Sequence, residues 1–477
     1  MKKFGTITLT ALLLSLAVLS QTALAARGDA VHTAEPFTGT VVTDGFDMPW
    51  NVAWGPDDMI WITERMGRRI VRVDPTTGER KVAATIQEAH AEGAHEGLLG
   101  MTFGPDFRKD GDEGHIYVCY TYRPEKGDVG SARKRVVRYL YDHESATLGH
   151  AFTILDAIPA GDDHNGGRLA VCPDRMLYLS LGELGHNQGA NMTKPNWAQR
   201  LPTQAEVDGK DWTAYVGKIL RIDIDKDGAI PEDNPVLGGV KSHVYTYGHR
   251  NPQGLVFVGE ELFSCEHGPS VDDEVNRLIP GGNYGWPHVA GFRDNQSYHF
   301  IDFSKASEAA IKSYDPERPD AITEGIVAQK ETDWSDPNFV EPVKTFHTVP
   351  NGYNFKDSRF TGGMGYIAWP TVAPSSLAYY PADGPIEGWG NSLLMTTLKT
   401  GKLYRLKLNA DRKTLQGDEM THFNSQNRYR DLCLSPDGKT IYVITDTSGN
   451  AVGRDGKPTT RMENPGALIA FTYAPSK

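Results

Sequence analysis

The chain has 477 residues, a formal net charge of −12 and four cysteines. An acidic balance of this size argues against nucleic acid or anionic membrane as a partner, since either would repel it, and leaves small neutral ligands open. The cysteines, Cys119, Cys172, Cys265 and Cys433, are far apart and form no CxxC pair, which excludes a zinc knuckle or a thioredoxin-like motif.

Lys2 and Lys3, the apolar run from Ala11 to Leu19 and the small-residue pattern Ala23-Leu24-Ala25 predict a secretory signal over residues 1–25. Residues 26–477 are then expected to form one exported, soluble domain, periplasmic or secreted. Losing Lys2 and Lys3 takes the net charge to −14. No later stretch approaches the roughly 20 apolar residues of a helical span, so membrane insertion is not expected.

Along the chain a turn followed by a β-rich run recurs. It stands at Gly55-Pro56-Asp57 before MIWITER, at Gly104-Pro105-Asp106 before HIYVCYTY, and at Cys172-Pro173-Asp174 before MLYLSLGE. Further copies are Phe257 to Cys265, Trp389 to Leu408, and Ser435-Pro436-Asp437-Gly438 before TIYVITDT. Six turn-and-strand phrases with few helical patterns predict an all-β fold, a six-bladed β-propeller, with insertions near 186–216 and 291–360. A sandwich is the structural alternative. Each phrase is read as an inner strand with polar residues just past it, as in Thr63-Glu64-Arg65, Gly182-Glu183, Glu266-His267 and Thr445-Asp446. Such ends gathered around one axis would make a site, so the propeller is preferred. The C-terminal strand LIAFTYAP is expected to close the ring against the first blade, and Cys119 and Cys265 to act as small buried hydrophobes.

No GxGxxG, Walker loop, HExxH or GxSxG motif is present. The spacing of His90 and His95 fits no standard metal-ligand set. Asp223 to Gly228 imitates an EF-hand start, but its twelfth position is Asn234, so a hairpin turn is expected. Three polar stretches are more informative. In Gly161-Asp162-Asp163-His164-Asn165-Gly166-Gly167-Arg168 an imidazole sits beside a carboxylate, the usual arrangement for proton abstraction. His249-Arg250-Asn251-Pro252-Gln253 packs hydrogen-bond donors onto a loop, and Arg428 and Arg430 share one face of an extended segment and could clamp carboxylates. Together the three imply a planar polyanionic ligand.

The stretches DHNGGRL, GKDW..Y.GKILRID, GHRNPQGL, EHGP..DDE.N, GGNYGWP, WPTVAPSS, NRYRD and SPDGKTIYVITDTSGN, running from about Met48 to the C-terminus, resemble the soluble quinoprotein glucose dehydrogenases. The resemblance implies a propeller that binds pyrroloquinoline quinone (PQQ) on its top face, oxidises the C1 hydroxyl of aldoses to lactones, passes electrons to an external acceptor and forms a homodimer. His164 matches the general base, with hydride passing to the quinone C5. Asp163, Gln253 and Trp369 match sugar contacts. Arg250, Asn251 and Gln253 match donors near the quinone, Arg250 also stabilising the developing oxyanion. Lys399, Arg428 and Arg430 match the cations on the cofactor carboxylates, and His95, Asp163, Gln188, Tyr366, Thr371 and Asp446 line the same site. A catalytic Ca2+ would lie on the carbonyls of Gly268 and Pro269. A second would use Glu274, Asp294 and Glu331 with the carbonyls of Tyr284, Ala290 and Phe292.

The chain departs from the glucose enzyme's pattern with His95 for glutamine, Glu183 for aspartate, Gly189 for leucine and His267 for glutamine. These positions bear on sugar preference. Glu183 is expected to orient His164 and to favour its protonated form. A calcium-dependent propeller lactonase and a non-catalytic binding propeller are the alternatives. A lactonase has no use for the cations Lys399, Arg428 and Arg430.

Overall fold

The computed structural model describes residues 30–31, 36–108, 113–124, 131–172, 174–315, 324–356 and 364–475. The expected signal segment, 1–25, lies outside them, as does Pro173.

Five four-stranded antiparallel sheets and one five-stranded sheet surround one axis, making a six-bladed β-propeller. From the axis outward the first blade runs Pro49–Trp54, Ile60–Glu64, Arg69–Val73 and Arg80–Thr85. The next four blades begin at Leu98–Phe103, Leu169–Val171, Pro252–Val258 and Pro374–Tyr380, and the last at Tyr429–Leu434. Each recurring turn phrase except Trp389 to Leu408 is the hairpin between the first and second strand of a blade; Trp389 to Leu408 instead spans the second and third strands of its blade. Asp57 Oδ1 accepts hydrogen bonds from the Met59 amide and Trp61 Nε1, and Asp437 Oδ1 accepts from the Lys439 amide beside Gly438 at φ 67°. These side chains satisfy the turn backbone and start the returning strand. The runs read as innermost strands are therefore second strands, such as Ile60–Glu64 and Thr440–Thr445, one place out from the axis.

Ring closure also differs from expectation. The last blade takes its two outer strands from the N-terminal side: Phe37–Thr43 pairs with Leu468–Tyr473, the third strand of that blade, and Ala30–Val31 pairs on its outer edge. Phe37 and Val41 bury against Trp389, Phe423 and Phe471, so closure is both hydrogen-bonded and hydrophobic. Neighbouring blades pack through aromatic edges, as where Trp61 meets Phe103 and Tyr141 in T-shaped contacts.

Arg168, on the turn into the third blade, crosses the axis. It donates to Asp431 Oδ2 at 2.7 Å, to the carbonyls of Gln253 and Ser375, and lies over Trp50. Asp431 also accepts from Asn51 Nδ2 and the Val52 amide. This buried ion pair joins five of the six blades beneath the face that carries the polar strand ends. All four cysteines are free, and Cys119 and Cys265 are fully buried. Asp223 Oδ1 accepts from the amides of Asp225 and Lys226, the expected hairpin turn. Among the described residues the α-helices are Gln204–Asp208 and Glu308–Ser313, and no helix is long and apolar enough to cross a membrane.

Candidate active site

A cleft of about 1040 Å³ opens on that face, large enough for a cofactor and a small substrate together. It is lined by His95, Asp163, His164, Gln188, Arg250, Asn251 and Gln253. Tyr366, Trp369, Thr371, Lys399, Arg428, Arg430 and Asp446 line it too, as do Gly268 and Pro269. These sequence-predicted residues, scattered from His95 to Asp446, thus share one cavity.

His164 is held at φ 39°, a left-handed conformation that a non-glycine residue adopts only when its surroundings enforce it. They do so here: a Cβ on Gly182 would lie 2.0 Å from the His164 carbonyl oxygen, so only glycine lets the two loops touch. His164 Nδ1 lies 2.9 Å from Glu183 Oε2. Glu183 is fully buried and also accepts from the Gly185 amide at 2.6 Å and Gln188 Nε2 at 2.8 Å. Once Glu183 is ionised, three donors on one carboxylate put the shared proton on Nδ1 and leave the Nε2 lone pair facing the cleft.

The electrostatics correct one expectation. Burial, reinforced by the Arg250 guanidinium, holds the His164 imidazole well below its ordinary pKa, so the neutral base dominates despite Glu183. Burial likewise pushes the Glu183 carboxyl up to about 8, against the pull of Arg250. Arg250 is anchored by Gln188 Oε1, the His267 carbonyl and, through its amide, Glu266.

In the same cleft Arg430 and Arg428 both donate to Asp446, at 2.8 Å and 3.0 Å. Burial opposes the Asp446 charge, but the two guanidinia outweigh it and keep the carboxyl below its usual range. Lys399 Nζ donates to the Trp369 carbonyl and the Thr371 hydroxyl, and burial lowers it to about 8. Arg65 was not singled out as a site residue. It lines the same wall, donates to the Gly93 and Glu96 carbonyls, and is lowered to about 10 by burial and by Arg430. Its polar strand end was the available signal. Tyr298, Phe303 and Tyr314, which give the cleft an apolar lobe, come from the insertion after residue 291 and carry no local signature.

The residues expected to hold a second calcium lie outside the cleft and are engaged by backbone amides: Glu274 with Gly291, Glu331 with Ala290, Asp294 and Asn295, and Asp294 with Gln296. Among the described residues no three His, Cys, Asp or Glu side chains are placed to hold a metal.

The family model described as glucose/sorbosone dehydrogenase matches residues 46–322 and 342–454. Quinoprotein glucose dehydrogenase B of Acinetobacter calcoaceticus is 41% identical over 467 residues, covering 97% of this chain and 96% of the relative. Aldose sugar dehydrogenase YliI of Escherichia coli is 28% identical over 414 residues, covering 86% and 90%. In fold the chain is similar to the PQQ-bound aldose sugar dehydrogenase of Streptomyces coelicolor, with a TM-score of 0.58 at 24% identity over 92% of this chain and 99% of the other. With a family match across most of its length and 41% identity along nearly all of it, the chain belongs to the glucose/sorbosone dehydrogenase family of oxidoreductases.

Proposed function

We propose that this chain is a PQQ-dependent dehydrogenase that oxidises the C1 hydroxyl of aldoses to lactones. The observation that carries the reading is the pairing, in one cleft, of an oriented neutral histidine with a wall of buried cations. Lys399 hydrogen-bonds only neutral oxygens in the cleft wall and is pushed to about 8, so an incoming carboxylate would restore its full charge. Arg428 and Arg430 share a single carboxylate, Asp446, and Arg65 lines the cleft beside them. This donor set fits a planar polycarboxylate, and the quinoprotein relative supports PQQ as that ligand.

Calcium is part of the reading. Gly268 and Pro269 line the cleft, with the Gly268 amide fixed by Asp273 Oδ1 at 2.8 Å, and their carbonyls would suit a hard cation. Away from the cleft, burial pushes Asp272 to about 7, Glu331 to about 8 and Glu274 well above the ordinary carboxyl range, with Asp294 adding to the first two and Glu266 to the third. A second cation would relieve that strain.

When bound, the quinone supplies the acceptor for the C1 hydride and the calcium on Gly268 and Pro269 supplies a Lewis acid. His164 Nε2 takes the hydroxyl proton while Glu183 holds Nδ1. Arg250, anchored by Gln188 and His267, places positive charge where the C1 oxygen becomes anionic. Trp369 forms an apolar wall for the sugar ring. Export after the signal segment, an external electron acceptor and a homodimer complete the proposal.

The test is reconstitution of the apo protein with calcium and PQQ, following reduction of an artificial dye across a panel of aldoses. Activity that needs both additions supports the reading. Activity without the quinone, or none with it, overturns it in favour of a lactonase or a binding propeller.

A further inference from the structure

Asp163 Oδ1 lies 3.4 Å from His164 Nε2 and 3.3 Å from His95 Nδ1. Side-chain exposure rises along this series, from 10% at His164 to 41% at Asp163 and 44% at His95. The other nitrogen of His164 faces Glu183, whose side chain is 0% exposed and which already accepts from Gly185 and Gln188. A proton taken up at Nε2 therefore has no outlet through Nδ1, but it has two titratable groups between it and solvent.

We propose that Asp163 and His95 form the exit route for the proton that His164 removes from the sugar. This rests on the dehydrogenase reading above. The sugar O–H bond breaks as His164 Nε2 gains the proton, which passes to Asp163 Oδ1 and then to His95 Nδ1. Protonated His95 gives up its Nε2 proton to water, and no electrons move in these steps.

The surroundings suit carriers rather than traps. Asp163 is fixed by the His164 amide at 2.9 Å and is given room by Gly185, where a Cβ would lie 2.6 Å from Asp163 Oδ2. Burial raises its pKa, but His164, His95 and Arg250 outweigh burial and keep it ionised at rest. His95 is faced by the Asp163 carboxylate and by the Arg430, Arg65 and Arg428 guanidinia. Burial and those three cations keep it below its ordinary pKa, so a proton that reaches it is readily lost.

The experiment uses the reconstituted enzyme and compares the first-turnover rate of cofactor reduction with steady-state kcat in dilute buffer. In His95→Gln, which keeps a polar side chain but has no titratable nitrogen, kcat should fall relative to the first-turnover rate by up to roughly 10²-fold, the low end of what a lost proton-transfer partner costs. Added imidazole should restore it, while the unsubstituted enzyme should not respond. A second readout needs no cofactor: in NMR titrations of the apo protein, Asp163→Asn should lower the pKa of both His95 and His164. An unchanged rate ratio without imidazole rescue, or histidine titrations indifferent to Asp163→Asn, overturns the route. If the unsubstituted enzyme shows no quinone-dependent sugar oxidation, the dehydrogenase reading fails and the route with it.

Discussion

Replacing Glu183 by glutamine tests the base and its support together. At 2.9 Å from His164 Nδ1, a carboxylate stabilises an imidazolium by about 6 kcal/mol at an effective dielectric constant of about 20. At about 1.36 kcal/mol per tenfold in rate, that is a ceiling of roughly four decades. The glutamine carbonyl retains part of the interaction, so kcat/KM at its plateau should fall by roughly 10²–10⁴-fold. The pH profile gives the sharper sign. Glu183, pushed up by burial, must lose its proton near pH 8 before the pair reaches its basic form. Glutamine removes that step and leaves the acidic limb to His164, held well below the ordinary 6.5. The limb should therefore move to lower pH by more than about one unit, each unit corresponding to about 1.36 kcal/mol. Stability follows the same logic, because a raised carboxyl costs stability as pH climbs from its unfolded value toward 8. Glu183→Gln should thus gain on the native protein in Tm across that window. Initial rates from pH 5 to 10 and melts over the same range provide the assay. A limb that stays put or moves upward, or a kcat/KM within about threefold of native, would refute the reasoning.

His164→Gln should lower single-turnover quinone reduction by roughly 10²–10⁴-fold while quinone affinity changes little; affinity lost in step with activity would make His164 a structural residue. Phe37→Ala, in the strand that closes the ring, should cost about 3–5 kcal/mol in denaturant unfolding, since Phe37 is 6% exposed and packs on Trp389 and Phe423. A chelator should lower the Tm and added calcium restore it, whereas Glu331→Gln should abolish most of that shift and weaken dimer formation more than quinone binding; equal loss of quinone affinity with unchanged melting would contradict a calcium site away from the chemistry.

The blade count was legible because each first hairpin carries Asp or Gly turn chemistry ahead of alternating apolar residues, a strictly local signal. The Phe37–Thr43 strand has no such turn, and its partner lies more than 400 residues away, so closure was assigned to the wrong end. Second strands were read as innermost ones because their dense apolar runs are more conspicuous than inner strands, which place Asn51, Ser375 and Asp431 toward the axis. Most of the candidate site was legible through its resemblance. Arg65 was passed over because its end of the blade becomes a cofactor wall only when the ring brings it beside Arg430. The protonation of His164 was misjudged for a related reason: a neighbouring carboxylate is visible in sequence, whereas the burial that outweighs it belongs to the assembled cleft.

Whether one cleft holds a polyanionic quinone beside a sugar-oxidising base is settled by titrating the calcium-loaded apo protein with PQQ and then adding an aldose without oxygen while recording the quinone spectrum. Binding should be saturable and weakened by Lys399→Ala, and the aldose should then reduce the bound quinone and release an equal amount of lactone. Absence of saturable binding, or a spectrum that aldoses leave unchanged, would contradict that pairing.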